Sequence, residues 1–129
     1  MLRLIIFTTD MTKRDTKIYL CGAITGKPEK EYTKDFADAK ERLRRLGFAN
    51  VISPLENGLP KDASWEAQMR ACIPMMMEAN VIYVVNNTSS SRGAKVELRL
   101  ARELEFKVLL FVYSDDKIVE ELELIGERK

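Results

Sequence analysis

Asn80-Val81-Ile82-Tyr83-Val84-Val85-Asn86-Asn87-Thr88-Ser89-Ser90-Ser91-Arg92-Gly93-Ala94-Lys95-Val96-Glu97 holds the fold in miniature. Residues 80–85 form a near-continuous apolar run. Such a strand is buried on both faces, as in a parallel sheet. A polar Asn/Ser loop follows, and a helix starts near Gly93. Strand, loop and helix in that order make the repeating unit of an α/β protein.

The same unit recurs outward from this stretch. Lys17-Ile18-Tyr19-Leu20-Cys21-Gly22 reads as a short buried strand ending in glycine. After the loop 22–28, Tyr32, Phe36, Ala39, Leu43 and Leu46 recur at helical spacing until Gly47 stops the helix. Val51-Ile52 opens a second strand, closed by Ser53-Pro54, and a polar loop runs over 55–63. Ser64 is the expected N-cap of a helix through Trp65, Met69, Ile73 and Met76, with Glu66 in its first turn. Pro74 is expected to kink or divide that helix, and Met75-Met76-Met77 reads as core filler. Lys107 to Tyr113 is a fourth strand, and Asp115 is the expected cap of a last helix through Leu124.

Alternating strands and helices with right-handed crossovers predict a parallel sheet of four or five strands between two helical layers. This is an α/β three-layer sandwich of the flavodoxin-like or Rossmann-like kind, with strand order 2-1-3-4(-5). That order sets a switch point between the first and third strands, where ligands bind at the carboxyl ends. The loops meeting there are 22–28 and 86–93, the most glycine- and serine-marked of the chain.

A length of 129 residues implies a single domain over 1–129. A chain that is 46% hydrophobic and 32% charged can bury a core and remain soluble. A net charge of +1 gives no general pull toward nucleic acid or membrane. There is no histidine, which removes Ser-His-Asp and Cys-His catalysis and disfavours zinc or haem. Acid–base work then falls to carboxylates, Tyr, Lys, Cys or water. Cys21 and Cys72 lie in apolar contexts and suggest reduced core thiols in a cytoplasmic protein. No apolar run approaches the roughly 20 residues of a membrane span. Met1 to Phe7 reads as an extra edge or interface strand, or residues 1–16 as an N-terminal extension with Met11 a second start.

Around the helix after Gly93, a step of about 100° per residue groups Ala94, Val96, Leu98, Leu100, Ala101 and Leu104 on one arc. Glu97 falls near its centre. Burying a charge there costs several kcal/mol unless the charge is paired or used, as a rough figure, so Glu97 is a candidate for chemistry. The alternatives are a structural acid paired with a nearby Arg or Lys, or one left in water past the sheet.

The first loop superficially resembles a nucleoside-triphosphate P-loop. Three residues separate Gly22 from Gly26 where that motif needs four, and Pro28 stands where it needs a hydroxyl. No dinucleotide fingerprint is present either. The residues Gly22, Ala23, Ile24, Thr25 and Gly26 remain suited to holding a sugar or phosphate, together with Asn86, Ser89, Ser91 and Arg92 and the amides near Gly93. For the serines the plain alternative is capping, and for Gly22 and Gly26 a tight turn with φ > 0.

Two segments carry a family likeness: Ile18-Tyr19-Leu20-Cys21-Gly22-Ala23-Ile24-Thr25-Gly26 at the front and Ser91-Arg92-Gly93-Ala94-Lys95-Val96-Glu97 at the back. With Trp65…Met69-Arg70 and the strand from Val81 between them, the chain resembles the nucleoside 2-deoxyribosyltransferase-like superfamily over about residues 17–113. The nearest likeness is to an often phage-borne branch with a Ser-Arg-Gly-Ala-x-x-Glu signature. The resemblance implies an N-glycosidase or deoxyribosyltransferase with Glu97 as nucleophile and Tyr19 as a second catalytic residue that lines the sugar pocket. It further implies that the Gly22 loop lines the sugar pocket, and that Ser91 and Gly93 face a 5'-phosphate or hydroxyl. The expected partner is a nucleoside or nucleotide, with no cofactor or metal, in a homodimer or higher homo-oligomer. The chain departs from that pattern at two aspartates, replaced here by Cys72 and Asn80. The first of them assists the leaving base, so a water, Tyr19, Glu66 or Asp62 takes over, or the protein is a nucleotide-binding module that does not turn over.

Overall fold

The computed structural model describes residues 13–127. The expected strand over residues 1–7 lies outside them. Four parallel strands form one sheet in the order β2-β1-β3-β4. They are β1 (Lys17–Cys21), β2 (Asn50–Ile52), β3 (Val81–Val84) and β4 (Lys107–Leu110). Helices α1 (Glu29–Arg45), α2 (Trp65–Met77), α3 (Arg92–Glu103) and α4 (Asp115–Glu123) connect and follow them. The fold is thus α/β with the flavodoxin-like strand order, as the alternation of elements predicts.

Period-two alternation splits the core. Ile18 and Leu20 of β1, with Val81 and Tyr83 of β3, pack against Phe36, Ala39 and Leu43 of α1 and Ile118 and Leu122 of α4. Tyr19 and Cys21 point the opposite way, with Ile82 and Val84, toward Cys72 and Met76 of α2 and Ala94, Leu98 and Ala101 of α3. The second layer carries the candidate site because it is the one that takes Tyr19.

Several local expectations change. The buried stripe of α3 is Ala94, Glu97, Leu98 and Ala101, whereas Val96 is only partly covered and Leu104 is 54% exposed. Steps of three and four residues keep one face, and Val96, two residues from Ala94, turns away from it; Leu104 lies past the last turn, at the C-cap. Pro74 does not divide α2, which runs through it with the proline on the exposed side. Of the three methionines, Met76 is fully buried and Met77 is exposed. Ser114, not Asp115, caps α4, its hydroxyl accepting from Lys117 N at 3.2 Å. That helix ends at Glu123 and tightens into a 3₁₀ turn over Leu124–Glu127. Among the described residues, no helix is long and apolar enough to cross a membrane.

Candidate active site

The site grows from the tips of β1 and β3. Asn86, just past β3, accepts from Ala23 N at 2.7 Å and donates back to Ala23 O at 3.2 Å. Its amide also donates to Asp35 Oδ2 at 2.8 Å, and Lys27 reaches the same oxygen at 3.0 Å. Burial works against the charge on Asp35, yet these hydrogen bonds hold its carboxyl below the ordinary range. The two loops of the switch point are therefore clamped together. Gly22 sits inside the clamp, where a Cβ would meet Val85 Cγ2 at 2.4 Å and Asn86 Oδ1 at 3.0 Å. Space, rather than the expected left-handed φ, demands glycine there; Gly26 is the one in the left-handed region, at φ +87°.

Ser91 caps α3, its hydroxyl accepting from Ala94 N at 3.2 Å. Six residues on, Glu97 is 6% exposed, and its Oε2 accepts from the Tyr19 hydroxyl at 2.7 Å. Burial pushes the Glu97 carboxyl above its ordinary value, and hydrogen bonds from Tyr19 and Cys21 pull part of that back. Burial, then the charge of Glu97, raises the Tyr19 phenol far out of its usual range. Tyr19 therefore stays neutral and donates. Burial also raises the Cys21 thiol.

Glu97 lines a cavity of about 470 Å³, within the roughly 300–1,000 Å³ typical of small-molecule sites. One wall is Gly22, Ile24 and Thr25; another is Ser91 and Gly93 at the start of α3. The rest comes from Tyr32, the loop after β2, and Trp65, Gln68, Met69 and Cys72 of α2. Beside Tyr19 runs a neutral network. Asn57 Nδ2 donates to Gln68 Oε1 at 2.7 Å and to Cys72 Sγ at 3.3 Å. Gln68 Nε2 donates to Pro60 O at 3.1 Å. Burial raises the Cys72 thiol, with the Asn57 bond opposing.

Among the residues singled out in the sequence, Gly22, Ile24, Thr25, Ser91, Gly93 and Glu97 border this cavity. Tyr19, expected to line the sugar pocket, lies instead fully buried behind Glu97 and outside the cavity lining, its hydroxyl spent on that carboxylate. Ala23 and Asn86 are spent on the clamp rather than on a ligand, because the buried backbone of Ala23 needs partners. Gly26 and Ser89 sit outside the cavity lining. Arg92 turns away to stack on the Trp65 ring, 3.7 Å from its centroid. Asn80 fastens β3 to β1, its Oδ1 accepting from Lys17 N at 2.8 Å. Neither Asp62 nor Glu66 reaches the cavity lining. The Asn57–Gln68 pair is the part the sequence did not reveal. Its only signal is the spacing of Trp65, Gln68, Met69 and Cys72, which puts them on one face of α2.

A family model described as Domain of unknown function (DUF4406) matches residues 16–110, which span both loops and Glu97. No curated protein and no solved structure matches the chain.

Proposed function

This chain belongs to the DUF4406 family, and we propose that it cleaves the N-glycosidic bond of nucleosides or nucleotides, passing the sugar to water or to a second base. Glu97 is the nucleophile. The observation that carries this reading is the Tyr19–Glu97 pair: a desolvated carboxylate, held from behind by a neutral hydroxyl at 2.7 Å, at the wall of an open cavity.

Breaking a C1'–N bond builds positive charge on the sugar in an oxocarbenium-like transition state. A carboxylate at close range in a dry site opposes that charge strongly. It can also capture C1' as a covalent glycosyl-enzyme, which water or a second base then releases. The start of α3 presents amides and partial positive charge at Ser91 and Gly93, suited to a 5'-phosphate or hydroxyl. The likeness of the front and back motifs to nucleoside 2-deoxyribosyltransferases supports the same assignment. Leu110, Phe111 and Val112, exposed where edge strand β4 ends, supply apolar surface for a homo-oligomer; light scattering of the purified protein tests that assembly.

A second reading, a nucleotide-binding module without turnover, is favoured by one feature. Among the described residues lining the cavity, Glu97 is the only carboxylate. One experiment separates the two. The protein is incubated with nucleosides and their monophosphates, and free base is followed by chromatography. Base release that Glu97→Ala abolishes supports the enzyme. No release, with a raised unfolding midpoint in the presence of a nucleotide, supports the binder.

A further inference from the structure

Cleaving a neutral nucleoside leaves an electron pair on the base nitrogen, and an uncharged purine or pyrimidine accepts that pair poorly unless it is protonated. The proton must come from a group that is acidic near neutral pH. The cavity has no such group among its described lining residues. Glu97 is its single carboxylate, and its single cation, Lys61, is an exposed side chain ion-paired with Glu29. Tyr19 is committed to Glu97. The thiol of Cys72 and the phenol of Tyr19 are both pushed up by burial, so neither releases a proton readily. Beside the Cys72 thiol stand the neutral carboxamides of Asn57, which donates to it, and of Gln68, which accepts from Asn57.

One class of N-glycoside needs no acid. Where the base ring already carries positive charge, it departs neutral. The cavity suits such a ring. Its buried carboxylate has a hydroxyl partner and no ion-paired Lys or Arg among the described residues. The aromatic side chain of Tyr32 lines the same space, as does Trp65, one face of which already carries the Arg92 guanidinium, and aromatic faces attract delocalised cations.

We infer that the preferred substrates of this site are cationic N-glycosides, of the N-ribosylpyridinium or N7-alkylated purine class, recognised by Glu97 beside the neutral Asn57–Gln68–Cys72 network. This rests on the glycosidic reading above and names its substrate class. The C1'–N bond breaks with its electron pair going to the ring, which becomes neutral. A Glu97 oxygen bonds C1'. Water then displaces that oxygen, Glu97 leaves as carboxylate, and the water's proton is released to solvent.

The test measures kcat/KM for base release at pH 7 from nicotinamide riboside, nicotinamide mononucleotide and 7-methylguanosine. The comparison set is 2'-deoxyadenosine and the 5'-monophosphates of deoxyadenosine and deoxycytidine. Cleavage of a cationic substrate about 100-fold or more above every neutral one supports the inference, a gap matching the roughly 10²–10⁴ contributed by a general acid. A pyridinium-only or a purine-only pattern says which ring is meant. A gap under about 100-fold overturns the inference and leaves the glycosidic reading standing. No base from any substrate overturns both. As a second variant, Cys72→Asp restores an acid and is expected to narrow the gap at least tenfold by raising neutral-substrate cleavage; a folded Cys72→Asp protein with an unchanged gap overturns the role given to this network.

Discussion

The hydroxyl of Tyr19 donates to Glu97 Oε2 at 2.7 Å across 78 positions of sequence. One residue comes from the sheet and the other from the first half of α3. Their contact joins β1 to the helix that carries the carboxylate, and it sets how that carboxylate titrates. Tyr19→Phe removes a donor to a buried charged group, worth about 1.5–3 kcal/mol. The Glu97 carboxyl then rises further, since the Tyr19 bond is one of the two that pull it down. The rising limb of the pH–rate profile is expected to move to higher pH. A limb that stays in place in Tyr19→Phe would show that Glu97 titrates independently of Tyr19.

Glu97→Gln is expected to abolish base release while stabilising the fold at neutral pH. Burial raises the Glu97 carboxyl in the folded protein, so the folded state binds the proton more tightly than the unfolded chain. Stability from this residue is complete below the ordinary glutamate range and falls as pH climbs to the raised folded value. Glutamine carries no charge and escapes that loss. The variant should melt higher than the parent at pH 7, by on the order of 1 kcal/mol or a few degrees. Below pH 4 the difference should shrink. Calorimetry at both pH values checks it, and a variant less stable than the parent at pH 7 contradicts it.

Asn86→Ala strips both backbone partners from Ala23 and one donor from Asp35. Leaving buried polar groups unpaired costs about 1–3 kcal/mol each, so a loss of at least about 2 kcal/mol is expected in urea unfolding. The loop 22–27 loosens with it. In an active enzyme KM rises more than kcat falls. A loss under about 0.5 kcal/mol would mean the clamp is replaced by water.

Gly22→Ala places a methyl 2.4 Å from Val85 Cγ2 and 3.2 Å from Phe36 Cζ. Overpacking of this kind costs about 1–3 kcal/mol. The shift falls on the tip of β1, so ligand affinity drops together with the melting temperature. Wild-type stability in this variant would show that the β1 tip yields freely.

Much of this molecule was legible before any coordinates. Apolar runs at 18–21 and 81–85, set against helical spacing at 32–46, specify strands, helices and their layers because burial on two faces and burial on one face leave different periods. Glu97 stood out because a carboxylate among apolar neighbours is costly unless it has a task. The sequence alone thus determined the α/β sandwich and the two loops that meet, and it marked Glu97 as the acid to watch; that this acid points inward onto Tyr19 came from the tertiary structure. Only the tertiary structure decided that Asn86 and Ala23 hold each other rather than a ligand. It likewise decided that Arg92 lies on Trp65, and that Asn57, Gln68 and Cys72 stand together next to Tyr19. Those outcomes rest on hydrogen-bond partners many positions away, and local periodicity records which face a residue takes but not the atom it meets there.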